Sequence, residues 1–109
     1  MTFNEYQAAA LRTSRGKDAP NELLHLVLGL VGESGEIAEK MKKLIRDKAS
    51  DESQIDRRDI AKELGDVLWY IAVLADYLAI EFDDIAKTNI AKLADRQKRN
   101  VLQGSGDNR

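Results

Sequence analysis

Apolar residues recur at intervals of three and four along most of the chain, which is the spacing of an amphipathic α-helix. Two long series dominate, and a polar segment, residues 47–53, separates them. The first stripe comprises Leu23, Val27, Leu30, Val31, Ser34, Ile37, Ala38, Met41 and Ile45. The second stripe comprises Ile60, Leu64, Val67, Leu68, Ile71, Leu74, Ala75 and Leu78. The pattern predicts two long helices that pack against each other.

Shorter apolar series predict one helix before this pair and another after it. The first ends at Ser14-Arg15-Gly16, and a break near Ile80-Glu81 precedes the last. Asp18 is the expected N-cap of the second helix, and Pro20 lies in its first turn, where a missing N–H group is tolerated. The four predicted helices cover residues 2 to about 14, about 19–46, about 55–79 and about 82–99.

The composition favours a helical fold, since one proline and seven glycines among 109 residues leave long stretches free to be helical. We predict an all-α, antiparallel four-helix bundle-like domain over residues 1–103. The glycine-rich segment 104–109 is expected to be a flexible tail. A domain of this size buries only a modest core, so assembly with further copies would usefully bury more apolar surface.

Three glycines, Gly29, Gly32 and Gly35, interrupt the second helix at three-residue spacing. Each costs about 1 kcal/mol relative to alanine in a helix interior. Close approach of another helix or of a ligand to the backbone would explain their presence.

Charge and residue usage exclude several classes of function. The net charge is −2 and the isoelectric point is near 5.4, whereas nucleic-acid-binding domains are usually basic. The absence of cysteine excludes disulfides and thiolate metal sites, and the single His25 excludes a histidine-rich site. No signal peptide or membrane-spanning stretch is evident, so we expect a soluble, cytoplasmic protein without nucleic-acid or membrane partners.

Two pairs of acids stand beside the apolar stripes. Glu33 and Glu36 lie three residues apart on the second predicted helix, and Glu63 and Asp66 lie three apart on the third. Each pair therefore projects from one side of its helix, roughly 100–130° from the middle of the apolar stripe. Antiparallel packing of the two helices could bring both pairs together.

Four converging carboxylates repel one another unless a cation neutralises them, and hard divalent cations prefer oxygen ligands. Such a site can hold a polyphosphate and activate a water molecule. The alternative is that each pair is an ordinary solvated helix face, which is common in a chain whose residues are 33% charged.

The order Glu33-x-x-Glu36, a gap of 26 residues, then Glu63-x-x-Asp66 resembles the MazG-like nucleotide pyrophosphohydrolases of the all-α NTP pyrophosphatase superfamily. The resemblance extends over nearly the whole chain. Its supporting segments are residues 32–39 (GESGEIAE), 62–70 (KELGDVLWY), 89–96 (NIAKLADR) and 104–109 (GSGDNR).

This resemblance implies Mg²⁺-dependent attack of water on the α-phosphorus of a (d)NTP, which releases pyrophosphate; Mn²⁺ is an expected substitute. It assigns the metal and the chemistry to the four acids, and the phosphates to Lys92 and Arg96. Helix spacing separately places Asn89 on a face close to Lys92 and Arg96, as a candidate contact for base or sugar. The resemblance also implies a homodimer or a dimer of dimers, with sites near the subunit interface.

One position departs from the family pattern. Many relatives carry a further acid, discussed as the water-activating base, where this chain has Gly32. Glu36, Glu39 and the metal acting alone on its bound water remain alternatives for that role.

Several other residues allow two interpretations. Trp69 and Tyr70 could stack on a nucleobase, although aromatic residues on so apolar a helix are more often part of a core. The run of lysines from Lys40 is expected to be a solvated face, and Asp107 and Arg109 are candidates to fold over bound substrate. Two alternatives to a general (d)NTP pyrophosphohydrolase also remain open: a narrower enzyme acting on dUTP, dCTP or phosphoribosyl-ATP, and a non-enzymatic oligomerising helical protein.

Overall fold

Four α-helices joined by short turns account for the fold in the computed structural model, which describes all 109 residues. No strand is present, so the all-α prediction is confirmed. The helices are α1 (Phe3–Ala10), α2 (Glu22–Lys48), α3 (Arg57–Tyr77) and α4 (Phe82–Lys98), with 3₁₀ turns at Leu11–Thr13 and Glu52–Gln54.

The predicted start of α2 is wrong. The helix begins at Glu22, and residues 17–21 form turns, so Asp18 is not its N-cap and Pro20 lies outside it. Arg15 holds this turn, because its guanidinium donates to the carbonyl of Pro20 and to the carboxylate of Glu22. Asn21 takes the N-cap position at φ 56°, a left-handed conformation that asparagine tolerates.

Helices α2 and α3 are the two longest helices and run antiparallel. Three contacts fix their register: Gly29 faces Tyr70, Glu33 approaches Asp66, and Lys40 pairs with Asp59. Position numbers rise along α2 as they fall along α3, as an antiparallel pair requires. A short connection of residues 49–56 allows this arrangement, and Asp56 caps α3 by accepting from the backbone N–H groups of Arg58 and Asp59.

Helices α1 and α4 are joined to α3 by a buried glutamine. The side-chain amide of Gln7 donates to the carbonyls of Ala72 and Ile80, and its oxygen accepts from the backbone N–H of Phe82. The Phe82 ring stacks on Phe3 with centroids 4.6 Å apart. Gln7 therefore fixes the turn between α3 and α4 against α1, and every polar atom of its amide is used.

The rotation of α2 differs from the prediction. Leu26, which lies off the predicted stripe, is its most buried apolar residue, whereas Val27 and Val31 of that stripe are exposed. Only nine of 109 residues are buried, and the radius of gyration is 17.0 Å, against about 13 Å for a compact chain of this length. A single copy of the chain therefore leaves an apolar face of α2 uncovered.

Another helix approaches the backbone closely at Gly29, as the presence of a glycine inside a helix predicted. A Cβ atom there would lie 2.1 Å from Cε1 of Tyr70, so the ring packs directly on the α2 backbone. Nothing lies within 4 Å of the corresponding points at Gly32 and Gly35, which face open space. Within one chain, close approach of a neighbouring helix therefore explains Gly29 but neither Gly32 nor Gly35.

Residues 104–109, predicted to be a flexible tail, fold back onto α4 through Asp107 and Arg109. Their mobility stays a prediction. None of the four helices combines the length and the apolar character that crossing a bilayer would demand.

We predict opposite effects for alanine at two of these glycines. Gly29→Ala should lower the free energy of unfolding by about 1–3 kcal/mol, because the new methyl group displaces the Tyr70 ring from a packed position. Gly35→Ala should leave it unchanged or raise it by up to about 1 kcal/mol, since alanine is the better helix former. Urea denaturation followed by circular dichroism measures both, and equal stability of the two variants would contradict the proposed contact.

Candidate metal centre

Three carboxylates from two helices meet at one point on the α2–α3 pair. Oxygen atoms of Glu33 on α2 and of Glu63 and Asp66 on α3 all lie within 4.8 Å of one another. The structure thus brings together three of the four acids that the sequence singled out. Glu36, the fourth, is exposed and lies outside this group, one turn further along α2.

Helix geometry explains this convergence. The three-residue spacing places Glu63 and Asp66 on one side of α3, and the antiparallel register sets Glu33 opposite them. The sequence predicted that the acids flank the packing seam. Glu33 instead lies on the packing face of α2 and is half-buried, because the helix is rotated towards Leu26.

The neighbouring carboxylates raise the proton affinity of Glu33. Burial raises the pKa of Glu33 above its usual value, and the negative charges of Asp66, Glu63 and Glu36 raise it further. The charge of Asp66 also adds to burial in raising the pKa of the Tyr6 hydroxyl on α1. A cluster that favours protonation in this way would be relieved by a bound cation.

Lys40 stands at one end of the cluster and was missed as a site residue from the sequence. Its ammonium lies 2.5 Å from Asp59 and 3.6 Å from Glu63, and the hydrogen bond with Asp59 raises the pKa of Lys40. The sequence could have identified Lys40 by its position seven residues after Glu33, since that spacing places both residues on the same face of α2. Within the lysine run it was instead interpreted as solvated.

An open depression of about 340 Å³ adjoins the acids. Its walls are Thr13, Glu33, Asp66, Trp69 and Tyr70. The indole N–H of Trp69 donates to the hydroxyl of Thr13 at 2.8 Å and to the carbonyl of Ala10 at 3.2 Å, which fixes the ring. Trp69 and Tyr70 also pack against the buried core, as aromatic residues on an apolar helix usually do. Stacking of either ring on a nucleobase stays a prediction.

The basic residues on α4 are also brought together, although not against the acids. Lys92 and Arg96 share one face, and both contact the carboxylate of Asp107 from the tail. Asn89 is exposed on the same helix. None of these three residues lines the depression beside Glu33 and Asp66.

The donor set fits a hard divalent cation. Three carboxylates supply up to six oxygen atoms without nitrogen or sulfur, which suits Mg²⁺, Mn²⁺ or Ca²⁺ better than zinc or copper. Asp66 is exposed and the depression is open, so water and a larger ligand can reach the cluster. The residues present therefore fit a metal that also contacts a bound substrate.

Comparison with known proteins gives two matches. A family model described as the MazG nucleotide pyrophosphohydrolase domain matches residues 21–101, which include every acid of the cluster. The chain is also similar to the Gene 37 protein of Mycobacterium phage L5, with 48% identity over 114 aligned positions that cover all of both chains. No solved structure is significantly similar to the chain.

We predict that Glu33→Gln raises the melting temperature at pH 7 in metal-free buffer, because it removes one of three clustered charges. The folded-state pKa of Glu33 is raised, so its destabilising effect is fully present above that pKa and disappears as the pH falls to the unfolded-state value. The advantage of the variant should therefore shrink on acidification, as differential scanning fluorimetry across pH would show.

The same variant should lose most of the Mg²⁺-induced rise in melting temperature. Glu39→Gln is the matched control, since Glu39 lies on the same helix and pairs only with exposed Lys42. A lower melting temperature for Glu33→Gln with an unchanged response to Mg²⁺ would show that the cluster does not hold the ion.

Proposed function

The chain belongs to the MazG nucleotide pyrophosphohydrolase family, and we propose that it is a Mg²⁺-dependent enzyme that hydrolyses a (d)NTP to the monophosphate and pyrophosphate. The observation that carries this proposal is the convergence of Glu33, Glu63 and Asp66 within 4.8 Å. An acidic cluster of this kind is poorly suited to bind a polyphosphate by itself, and a divalent ion resolves the conflict of charge.

In this proposal Glu33, Glu63 and Asp66 hold the ion, with Glu36 beside them. A divalent ion held there would supply positive charge for the phosphate oxygens and lower the pKa of a nearby water molecule. In the reaction the oxygen of the attacking water would form a bond to the α-phosphorus as the bond to the oxygen bridging the α- and β-phosphorus breaks. Pyrophosphate leaves with the electron pair of that bond.

The water must lose a proton to a base on the protein or to solvent. Glu36 is the better candidate of the two acids considered, because it is exposed one turn from Glu33 and its charge already acts on that carboxylate. Glu39 lies further along α2 and is engaged by Lys42 at 3.3 Å. Gly32, where many relatives have an acid, contributes no side chain.

We further propose that the nucleobase enters the depression beside Trp69 and Tyr70. Both rings lie next to Glu33 and Asp66, so a base stacked on either would keep its phosphates near the cluster. The hydroxyl of Thr13 already accepts from Trp69, which leaves few polar groups to select one base. This favours a broad (d)NTP enzyme over a relative restricted to dUTP, dCTP or phosphoribosyl-ATP.

The proposed active form contains at least two copies of the chain. Three apolar residues on one face of α2, namely Leu24, Leu28 and Val31, are 60%, 69% and 64% exposed. Contiguous apolar surface of this kind is characteristic of subunit interfaces. Helical spacing sets this face on the side of α2 away from Glu33, so a site near the subunit interface stays a prediction of the resemblance.

We predict that purified protein releases pyrophosphate from most of the eight common NTPs and dNTPs in the presence of Mg²⁺, and that EDTA abolishes the release. Glu63→Gln and Asp66→Asn should each reduce kcat/KM by about 100-fold or more, since each removes a metal ligand. Glu52→Gln, an exposed acid in the loop between α2 and α3, should retain wild-type activity.

The outcomes separate the alternatives. Activity on a single nucleotide would support the narrower enzymes. Folded protein that releases no pyrophosphate from any nucleotide, and shows no thermal response to Mg²⁺, would support the non-enzymatic oligomer.

We also predict that Leu28→Asp converts the oligomer to a monomer, because a charge in an apolar interface is left without a partner. Ile90→Asp on α4 is the control, as Ile90 is 66% exposed but lies away from α2. Size-exclusion chromatography with light scattering measures the mass. An unchanged mass for Leu28→Asp, or a monomeric wild type, would exclude this face as the interface.

A further inference from the structure

The segment that follows α4, residues 101–109, forms a closed loop, which we call the tail loop. The guanidinium of Arg109 donates to the carbonyls of Val101, Leu102 and Gly106, at 3.2, 2.8 and 2.5 Å. Arg99, the residue that caps the C-terminal end of α4, donates to the carbonyl of Arg109 at 2.7 Å. These bonds hold the loop against the end of α4.

The tail loop carries a carboxylate into the basic pair of α4. Oδ1 of Asp107 lies 2.8 Å from Nζ of Lys92 and 3.1 Å from a guanidinium nitrogen of Arg96. The same guanidinium also donates to the backbone carbonyl of Asp107. Both side chains are thereby engaged by a single residue, and the guanidinium of Arg96 has no other hydrogen-bond partner.

The exposure of the three side chains is unequal. The side chain of Arg96 is 5% exposed and that of Lys92 is 36% exposed, whereas that of Asp107 is 78% exposed. A ligand in solution therefore reaches Arg96 only if the tail loop moves. Asp107, which faces solvent, can leave without crossing packed protein.

Lys92 and Arg96 form an anion-binding site, and the carboxylate of Asp107 is the anion bound in it. A carboxylate oxygen held by one ammonium and one guanidinium occupies the position that a phosphate oxygen would take between the same groups. The two cations lower the pKa of Asp107, so its carboxylate is charged at neutral pH. The carboxylate of Asp107 and a phosphate group would repel each other between these two cations. The pair therefore binds one of the two anions at a time.

The backbone of the loop can accommodate such a movement. Gly104 and Gly106 flank Ser105 at φ values of 134° and 83°, in a region that favours glycine over other residues. Once Arg109 releases the carbonyls of Val101 and Leu102, rotation at these two positions would swing Asp107 away from α4 while residues up to 103 stay in place.

We propose that the tail loop is an autoinhibitory strap, in which Asp107 occupies the Lys92–Arg96 pair until a polyphosphate displaces it. This inference rests on the proposed function and on the assignment of the nucleotide's phosphates to Lys92 and Arg96 that the family resemblance implies. Displacement is favoured by charge, because a triphosphate brings several negative charges to a pair that the loop neutralises with one. The strap thus makes nucleotide binding compete with loop closure.

The test compares Asp107→Asn with Asp95→Asn. Both remove one negative charge from the same end of the molecule, but Asp95 pairs with Arg99 and contacts neither Lys92 nor Arg96. Asp107→Asn should lower KM for the nucleotide by roughly threefold to tenfold with kcat unchanged, because only the competing state is weakened. Asp95→Asn should keep the wild-type KM.

A second measurement does not depend on catalysis. Isothermal titration of inorganic triphosphate in metal-free buffer should show Asp107→Asn binding roughly threefold to tenfold more tightly than wild type and Asp95→Asn. If Asp107→Asn proves unstable in thermal unfolding, Arg109→Gln replaces it, since that variant loosens the loop without touching the basic pair. Arg109→Gln should also lower both KM for the nucleotide and the dissociation constant of inorganic triphosphate.

The strap would be overturned if Asp107→Asn left KM unchanged or raised it and also left triphosphate binding unchanged or weakened it. Asp107 would then position Lys92 and Arg96 or only stabilise the fold. If wild-type protein hydrolyses no nucleotide, the proposed function fails, and the titration alone decides whether Asp107 competes with a polyphosphate.

Discussion

The antiparallel packing of α2 on α3 is the constraint on which the rest of the structure depends. Its register sets Gly29 against Tyr70, Glu33 against Asp66 and Lys40 against Asp59. A shift of one helical turn, about 5.4 Å, would separate the acids and also remove the aromatic wall of the depression from its place beside them. The packing of Tyr70 on a bare backbone is the one contact in this set that tolerates no larger side chain, so it fixes the register from which the acidic cluster follows.

The acidic cluster stores unfavourable energy that the fold must offset elsewhere. Burial and three neighbouring charges all disfavour the ionised form of Glu33, and Lys40 reaches only one end of the group. Functional sites often carry such strain, because a ligand that relieves it gains affinity. The small core and the exposed apolar face of α2 support the proposed second copy, as the acidic cluster supports the proposed divalent ion.

Much of this was available from the sequence, and the errors have physical causes. The periodicity located all four helices. The paired three-residue spacings identified four acids, of which Glu33, Glu63 and Asp66 converge and Glu36 does not. The start of α2 was misplaced because Arg15 stabilises a turn through Pro20, a tertiary contact that no local pattern contains. The rotation of α2 was misjudged because it carries two apolar faces, and single-chain periodicity cannot distinguish the face that packs on α3 from the face left for a partner. Asp107 contacts Lys92 and Arg96 only because the tail loop folds back on α4, so the sequence did not predict these ion pairs.

Locating a bound ion tests the central claim most directly. A crystal grown with Mn²⁺, examined by anomalous scattering, should show a strong peak between Glu33 on α2 and Glu63 and Asp66 on α3, bounded by oxygen atoms from both helices. A crystal at millimolar Mn²⁺ that shows no peak between these carboxylates, or shows the ion only at other acids, would contradict the account.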